Sequence, residues 1–126
     1  MSTSSASLSL NLVVLRAENP ERLCQFYGAL GLQFVLEQHG TGPVHHASDL
    51  GSSVLEIYPR RAHEPASTGT RIGFRVPSLD SALNALSSES AGIVQGPVAT
   101  SWGRRAVVCD PEGHKVELVE RTNTTE

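Results

Sequence analysis

The chain has 126 residues, 39% of them hydrophobic and 11 of them glycine, with 10 Lys and Arg against 13 Asp and Glu for a formal net charge of −3. That length suits one compact domain with a real core and is too short for two independent ones. The mild acidity, with basic runs no longer than Arg60–Arg61 and Arg104–Arg105, gives no electrostatic footprint for nucleic acid, and no apolar run approaches the ~20 residues of a membrane span.

The opening MSTSSASLSLNLVVL carries no basic residue ahead of its apolar stretch, which argues against a secretory signal. Two cysteines, Cys24 and Cys109, do not make a disulfide framework, so a cytoplasmic protein is expected. Residues 1–8 are Ser/Thr-rich and read as a frayed end. Residues 9–17 (SLNLVVLRA) read as a strand. Asn19 then caps a helix that has Pro20 at its first position and Glu21 in its first turn. Leu23, Phe26, Tyr27 and Leu30 follow at helical spacing and Gly31 ends the run.

Residues 32–38 (LQFVLEQ) read as a second strand, followed by the turn-rich HGTGP. PVHHASDL and SSVLEIYP form a hairpin around Leu50–Gly51. Residues 59–70 have no periodicity and read as a linker. The pattern then restarts: RIGFRV as a strand, Ser78 as a helix cap, and a helix with Leu79, Ala82, Leu83 and Leu86 on one face. GIVQGPV and GRRAVVCD are further strands, and the DPEG turn (110–113) leads into HKVELVE.

A shift of 59 residues lays Leu12–Arg16 on Arg71–Arg75, Asn19 on Ser78 and Leu23 on Ala82. The closing strands agree as well, with VLEIYP around Glu56 resembling KVELVE around Glu117. The chain is therefore read as a single α+β domain of two tandem βαβββ modules, about 9–58 and 71–120, joined by the linker and followed by a tail at 121–126. Each module makes a sheet with one helix-covered face. The bare faces are expected to form a curved mixed sheet around a cavity between the modules.

Strand alternation places Leu55 and Ile57 toward the helix and Glu56 toward the cavity with Val54 and Tyr58. Glu117 falls on the matching side of its strand. The structural reading is a pair of salt-bridged glutamates. The functional one is that they converge as metal ligands or as general acid and base.

The doubled βαβββ pattern, NPERLCQFYGALGLQF, VLEIYP and CDPEGHKVELVE together resemble the vicinal oxygen chelate superfamily, the glyoxalase / bleomycin-resistance / extradiol-dioxygenase group. The resemblance covers about residues 9–120. It implies a glyoxalase-like fold, a homodimer, and in the enzymes one divalent metal (Zn, Ni, Mn or Fe) held by the first and last strands of each module. The two closing positions fall on Glu56 and Glu117. The two opening positions fall on Leu12, next to Asn11, and on Arg71. Leu12 cannot bind a cation and Arg71 is a permanent one, so Arg71 is expected to neutralise a carboxylate in place of a metal.

A turn at Leu50–Gly51 sets His45 or His46 opposite Glu56, where an imidazole could complete a metal site with Glu56 and Glu117. Trp102 in the TSWGRR loop and Tyr58 are candidates to line the ligand cavity. Cys24 and Cys109 read as core thiols, His63 and His114 as solvated, and no Ser/His/Asp arrangement has a recognisable spacing. Two functions stay open. One is a metal-dependent lyase, isomerase or dioxygenase acting on vicinal oxygens, with Glu56 and Glu117 catalytic. The other is a metal-independent small-molecule binder of the bleomycin-resistance type, without a cofactor, with Arg71, Tyr58 and Trp102 on the ligand. A third, blander reading is an interaction module with a decayed pocket.

Overall fold

A computed structural model describes residues 7–89 and 92–121. Residues 1–6 of the expected frayed start (1–8) and residues 122–126 of the expected tail (121–126) lie outside the described residues. Ten elements follow in order: β1 (Leu12–Ala17), α1 (Pro20–Ala29), β2 (Val35–Glu37), β3 (His45–Asp49), β4 (Val54–Pro59), β5 (Arg71–Val76), α2 (Leu79–Leu86), β6 (Gly92–Thr100), β7 (Gly103–Cys109) and β8 (Lys115–Arg121).

The strands form two four-stranded mixed sheets of the same topology, β1-β4-β3-β2 and β5-β8-β7-β6. In each, the opening strand lies parallel to the closing one, and the remaining pairs are antiparallel. Leu12 pairs with Val54 as Arg71 pairs with Lys115, so the repeat holds in register as well as in pattern. The expected first strand is shorter than read. It starts at Leu12, leaving Leu8 and Leu10 exposed. The second shrinks to Val35–Glu37, with Leu32 and Phe34 packing on the core without joining the ladder.

The helix signals act as their chemistry dictates. The Asn19 side chain accepts from the Arg22 N–H at 3.1 Å and Ser78 Oγ accepts from the Ser81 N–H at 3.1 Å. Gly31 takes a φ of +113° after the last turn of α1, a conformation that suits glycine, and the Leu32 N–H closes back on the Tyr27 carbonyl at 3.1 Å.

One core serves both modules. Leu15, Leu23, Phe26, Tyr27, Leu55 and Ile57 from the first join Val76, Leu79, Leu86, Val116 and Leu118 from the second. Tyr27 stands edge-on to Phe26 at 4.9 Å and reaches Phe74 across the module boundary at 5.9 Å. Because α1 and α2 take up one side of each sheet, the opposite faces stay bare. The first bare face presents Leu12, Val14, Glu56, Tyr58 and His45; the second presents Arg71, Gly73, Arg105 and Glu117.

Candidate functional site

Glu117, on β8, lies between Gly73 of β5 and Val107 of β7. Its Oε1 accepts from Arg71 Nη2 at 3.5 Å and from Arg105 Nη2 at 3.3 Å, so Arg71 pairs with a carboxylate as expected. Arg105 also donates Nη1 to Gln95 Oε1 at 3.0 Å. Its Nε–H is buried and has no acceptor among the described residues. Register adds Arg75, beside Val119, and Lys115, beside Arg71, to the same face. Neither has an ion-pair partner among the described residues. Among the described side chains, four cations thus share a face with one carboxylate. Trp102 stands 55% exposed on the turn between β6 and β7, its backbone N–H donating to Thr100 Oγ1.

Glu56 keeps different company. It lies between Val14 and Ala47, and its Oε2 is 3.6 Å from His45 Nε2. The hairpin is displaced from the expected register. Ala47, not a histidine, faces Glu56, and His46 faces Ile57 on the core side. The cause is the turn: Leu50–Ser53 is a four-residue connection, closed by the Leu50 N–H on the Ser53 carbonyl and by Gly51 at a φ of +96°. The extra residues shift every pair. His45 therefore shares the open face with Glu56, and His46 lies on the other.

The His45 ring stacks on Tyr58 at 4.1 Å with planes 9° apart. Burial and the neighbouring Glu56 push the Tyr58 phenol above its ordinary value. Glu37 and His39, which sequence reasoning missed, complete this group: Glu37 pairs directly with His45 across β2 and β3, and His39 follows it. The signal was there, in that HGTGP folds EQH back onto HH. Nothing in the spacing alone set that register.

The residues do not fit the four-strand metal set that the resemblance implies. On the open faces, β1 offers Leu12, Val14 and Arg16, and β5 offers Arg71, Gly73 and Arg75. None of these ligates a divalent cation. Glu56 and Glu117 share no ion pair or hydrogen-bond partner among the described residues.

His114, expected to be solvated, is fully buried, whereas His63 is exposed. His114 Nδ1 donates to Asp110 Oδ2 at 2.8 Å, and Nε2 meets Ser67 Oγ at 2.6 Å. A Ser/His/Asp chain is thus present, where no recognisable spacing was expected. Its surroundings make it structural. Ser67 Oγ accepts the Arg16 N–H at 3.1 Å and lies 3.3 Å from the Arg16 carbonyl, which ties the linker to β1. Asp110 Oδ2 also takes the Tyr27 hydroxyl at 2.6 Å. The Cys24 thiol is pushed up to about 11, by burial first and by Glu21 second, which suits a packing thiol rather than a nucleophile.

A cleft of about 370 Å³ opens between the modules, lined by Leu30, Leu32, Ser48, Leu50, Phe74 and Pro77 among others. It takes in none of the predicted site residues.

The family model for the Glyoxalase/Bleomycin resistance protein/Dioxygenase superfamily matches residues 9–118. Solved structures share the fold. An antibiotic binding protein, TnmS3 from Streptomyces sp. CB03234, superposes with a TM-score of 0.74 at 20% identity, covering 93% of this chain and 99% of its own. A glyoxalase/bleomycin resistance protein from the same organism gives 0.69 at 22%, covering 88% and 99%. A glyoxalase/bleomycin resistance protein/dioxygenase family enzyme from Burkholderia phytofirmans PsJN gives 0.73 at 17%, covering 89% and 98%. No curated protein sequence matches the chain.

Proposed function

The chain belongs to the glyoxalase/bleomycin resistance protein/dioxygenase superfamily, and within it we propose a small-molecule-binding protein that holds its ligand on the open face of β5–β8 through arginine rather than a shared metal. The observation that carries this reading is Arg105, whose buried Nε–H lacks an acceptor among the described residues while its two terminal nitrogens are engaged. A buried donor without a partner is costly, and an acceptor atom on a ligand relieves it.

The surplus of guanidinium over carboxylate favours an anionic oxygen group, which a planar fork of donors binds with charge assistance. Trp102, exposed beside this sheet, offers a face for an aromatic ring. The ligand class is therefore an aromatic molecule bearing a carboxylate or an acidic oxygen. Glu117 sets the two arginines rather than the ligand, and the missing donors on β1 and β5 weigh against the metal-dependent enzyme. An antibiotic-binding neighbour of the same fold is in keeping with a binder.

The other partner is a second copy of the chain, which would cover the exposed apolar side chains Leu12, Val35, Leu36, Ile93 and Val94. No described helix is long and apolar enough to cross a membrane.

The chain's single tryptophan makes the test direct. Anthraquinone carboxylate, titrated in the presence of a chelator, should quench Trp102 fluorescence saturably. Arg105→Ala should weaken it at least about tenfold, since a hydrogen bond to a charged group is worth about 1.5–3 kcal/mol. Equal affinity for the neutral amide of the same ring, or no change in Arg105→Ala, would overturn the reading.

A further inference from the structure

On the other sheet, four side chains that play no part in that reading converge. Glu37, His39, His45 and Glu56 each offer one ligand atom, and these atoms all lie within 4.8 Å of one another. His45 Nε2 is 3.5 Å from Glu37 Oε1 and 3.6 Å from Glu56 Oε2, and His39 Nε2 is 3.4 Å from Glu37 Oε1. We propose that these four residues form a divalent transition-metal site, of zinc type, built on β2, β3 and β4 of the first module.

The independent observation is His45. It is 1% exposed, and its Nε2 has no hydrogen-bond partner among the described residues. Its other ring nitrogen, Nδ1, sits 3.1 Å from the Pro43 carbonyl. A carbonyl only accepts, so Nδ1–H donates to it, and Nε2 is the ring atom turned to the two carboxylates. A cation between Nε2 and the two carboxylates would take all three as ligands, and a backbone carbonyl on the far nitrogen is the usual support of a ligating imidazole.

The spacings fit. An ion bound at about 2.0–2.2 Å by nitrogen and oxygen sets the corners of a tetrahedron about 3.3–3.6 Å apart. Three of the separations, 3.4 to 3.6 Å, fall in that range. Two carboxylates balance the charge of a divalent ion, and the mixed imidazole and carboxylate set suits zinc over calcium or magnesium. Tyr58, stacked on His45, shields one side, and His39, with its side chain 71% exposed, leaves an entry path. Glu56 holds one of the closing positions, but its partners come from β2, β3 and the loop after β2, not from the opening strands.

Calorimetric titration of chelator-stripped full-length chain with zinc chloride tests this directly. One zinc per chain, at micromolar affinity or tighter, is expected. His39→Ala, at a surface position that does not threaten folding, should weaken it at least about tenfold, as loss of even a supporting group does. Glu56→Gln should do the same, and His63→Ala should leave it unchanged. Cobalt in place of zinc should give the intense visible bands of a tetrahedral site, lost in His39→Ala. Millimolar binding by the unaltered chain, or zinc affinity unchanged in both His39→Ala and Glu56→Gln, would overturn the site.

Discussion

Asp110→Ala should lower the unfolding free energy by about 3–5 kcal/mol, the range for breaking a buried charged network. Asp110 sits at 4% exposure, and its carboxylate accepts four hydrogen bonds. Oδ1 takes the Glu112 and His114 N–H groups at 3.0 and 2.9 Å, and Oδ2 takes the Tyr27 hydroxyl and His114 Nδ1. Alanine leaves a phenol, an imidazole and two amides without acceptors in a space closed to water. The loss reaches beyond the DPEG turn, because Tyr27 belongs to α1 and Glu112 in the same turn accepts the Glu18 and Asn19 N–H groups at 3.1 and 3.0 Å. The two modules are stitched together there. Urea unfolding monitored at constant slope should register the full loss, and the thermal midpoint should fall by more than about 10 °C. Ser67→Ala, which removes one hydroxyl at the edge of the network, should cost only about 1 kcal/mol. A small effect of Asp110→Ala would mean that the network does not carry the junction.

Glu117→Gln should tighten the anionic aromatic ligand by about tenfold or more. The glutamate engages Arg71 and Arg105 through a single oxygen and repels any anion approaching them. A unit charge about 6 Å from a partly exposed anion is worth on the order of 1–3 kcal/mol, and 1.4 kcal/mol is tenfold in affinity. Glutamine keeps an acceptor for the guanidinium groups and drops the charge. A shared-metal reading requires the reverse, because there Glu117 would be a ligand and its loss would release the bound molecule. The sign of the change, read from Trp102 quenching with a chelator present, separates the two.

The doubled architecture was legible because period and caps are local properties. Asn19, Pro20, Ser78 and the alternation around Glu56 and Glu117 each act within a few residues, and the shift of 59 lines up strands that do pair alike. The company each glutamate keeps was less legible. His45 rather than His46 joins Glu56 because the Leu50–Ser53 turn is two residues longer than a tight hairpin, and register follows loop length. Glu37 and His39 enter the same group through β2, a strand of three residues with little pattern of its own. His114 looked solvated from its place after a glycine turn; it is buried because the linker carrying Ser67 lies over it, and a linker without periodicity announces no such contact. Arg71 was the exception. A permanent cation at an opening position beside a closing glutamate has one simple electrostatic outcome, and the pair forms.

A backbone-amide NMR titration with the aromatic carboxylate, in the presence of chelator, tests the central claim most directly. The shifts should concentrate on β5, β7 and β8 around Arg71, Arg105 and Glu117, extend to Trp102, and be largely absent in Arg105→Ala. Shifts confined instead to the cleft lined by Leu30, Phe74 and Pro77, with the arginine face silent, would contradict it.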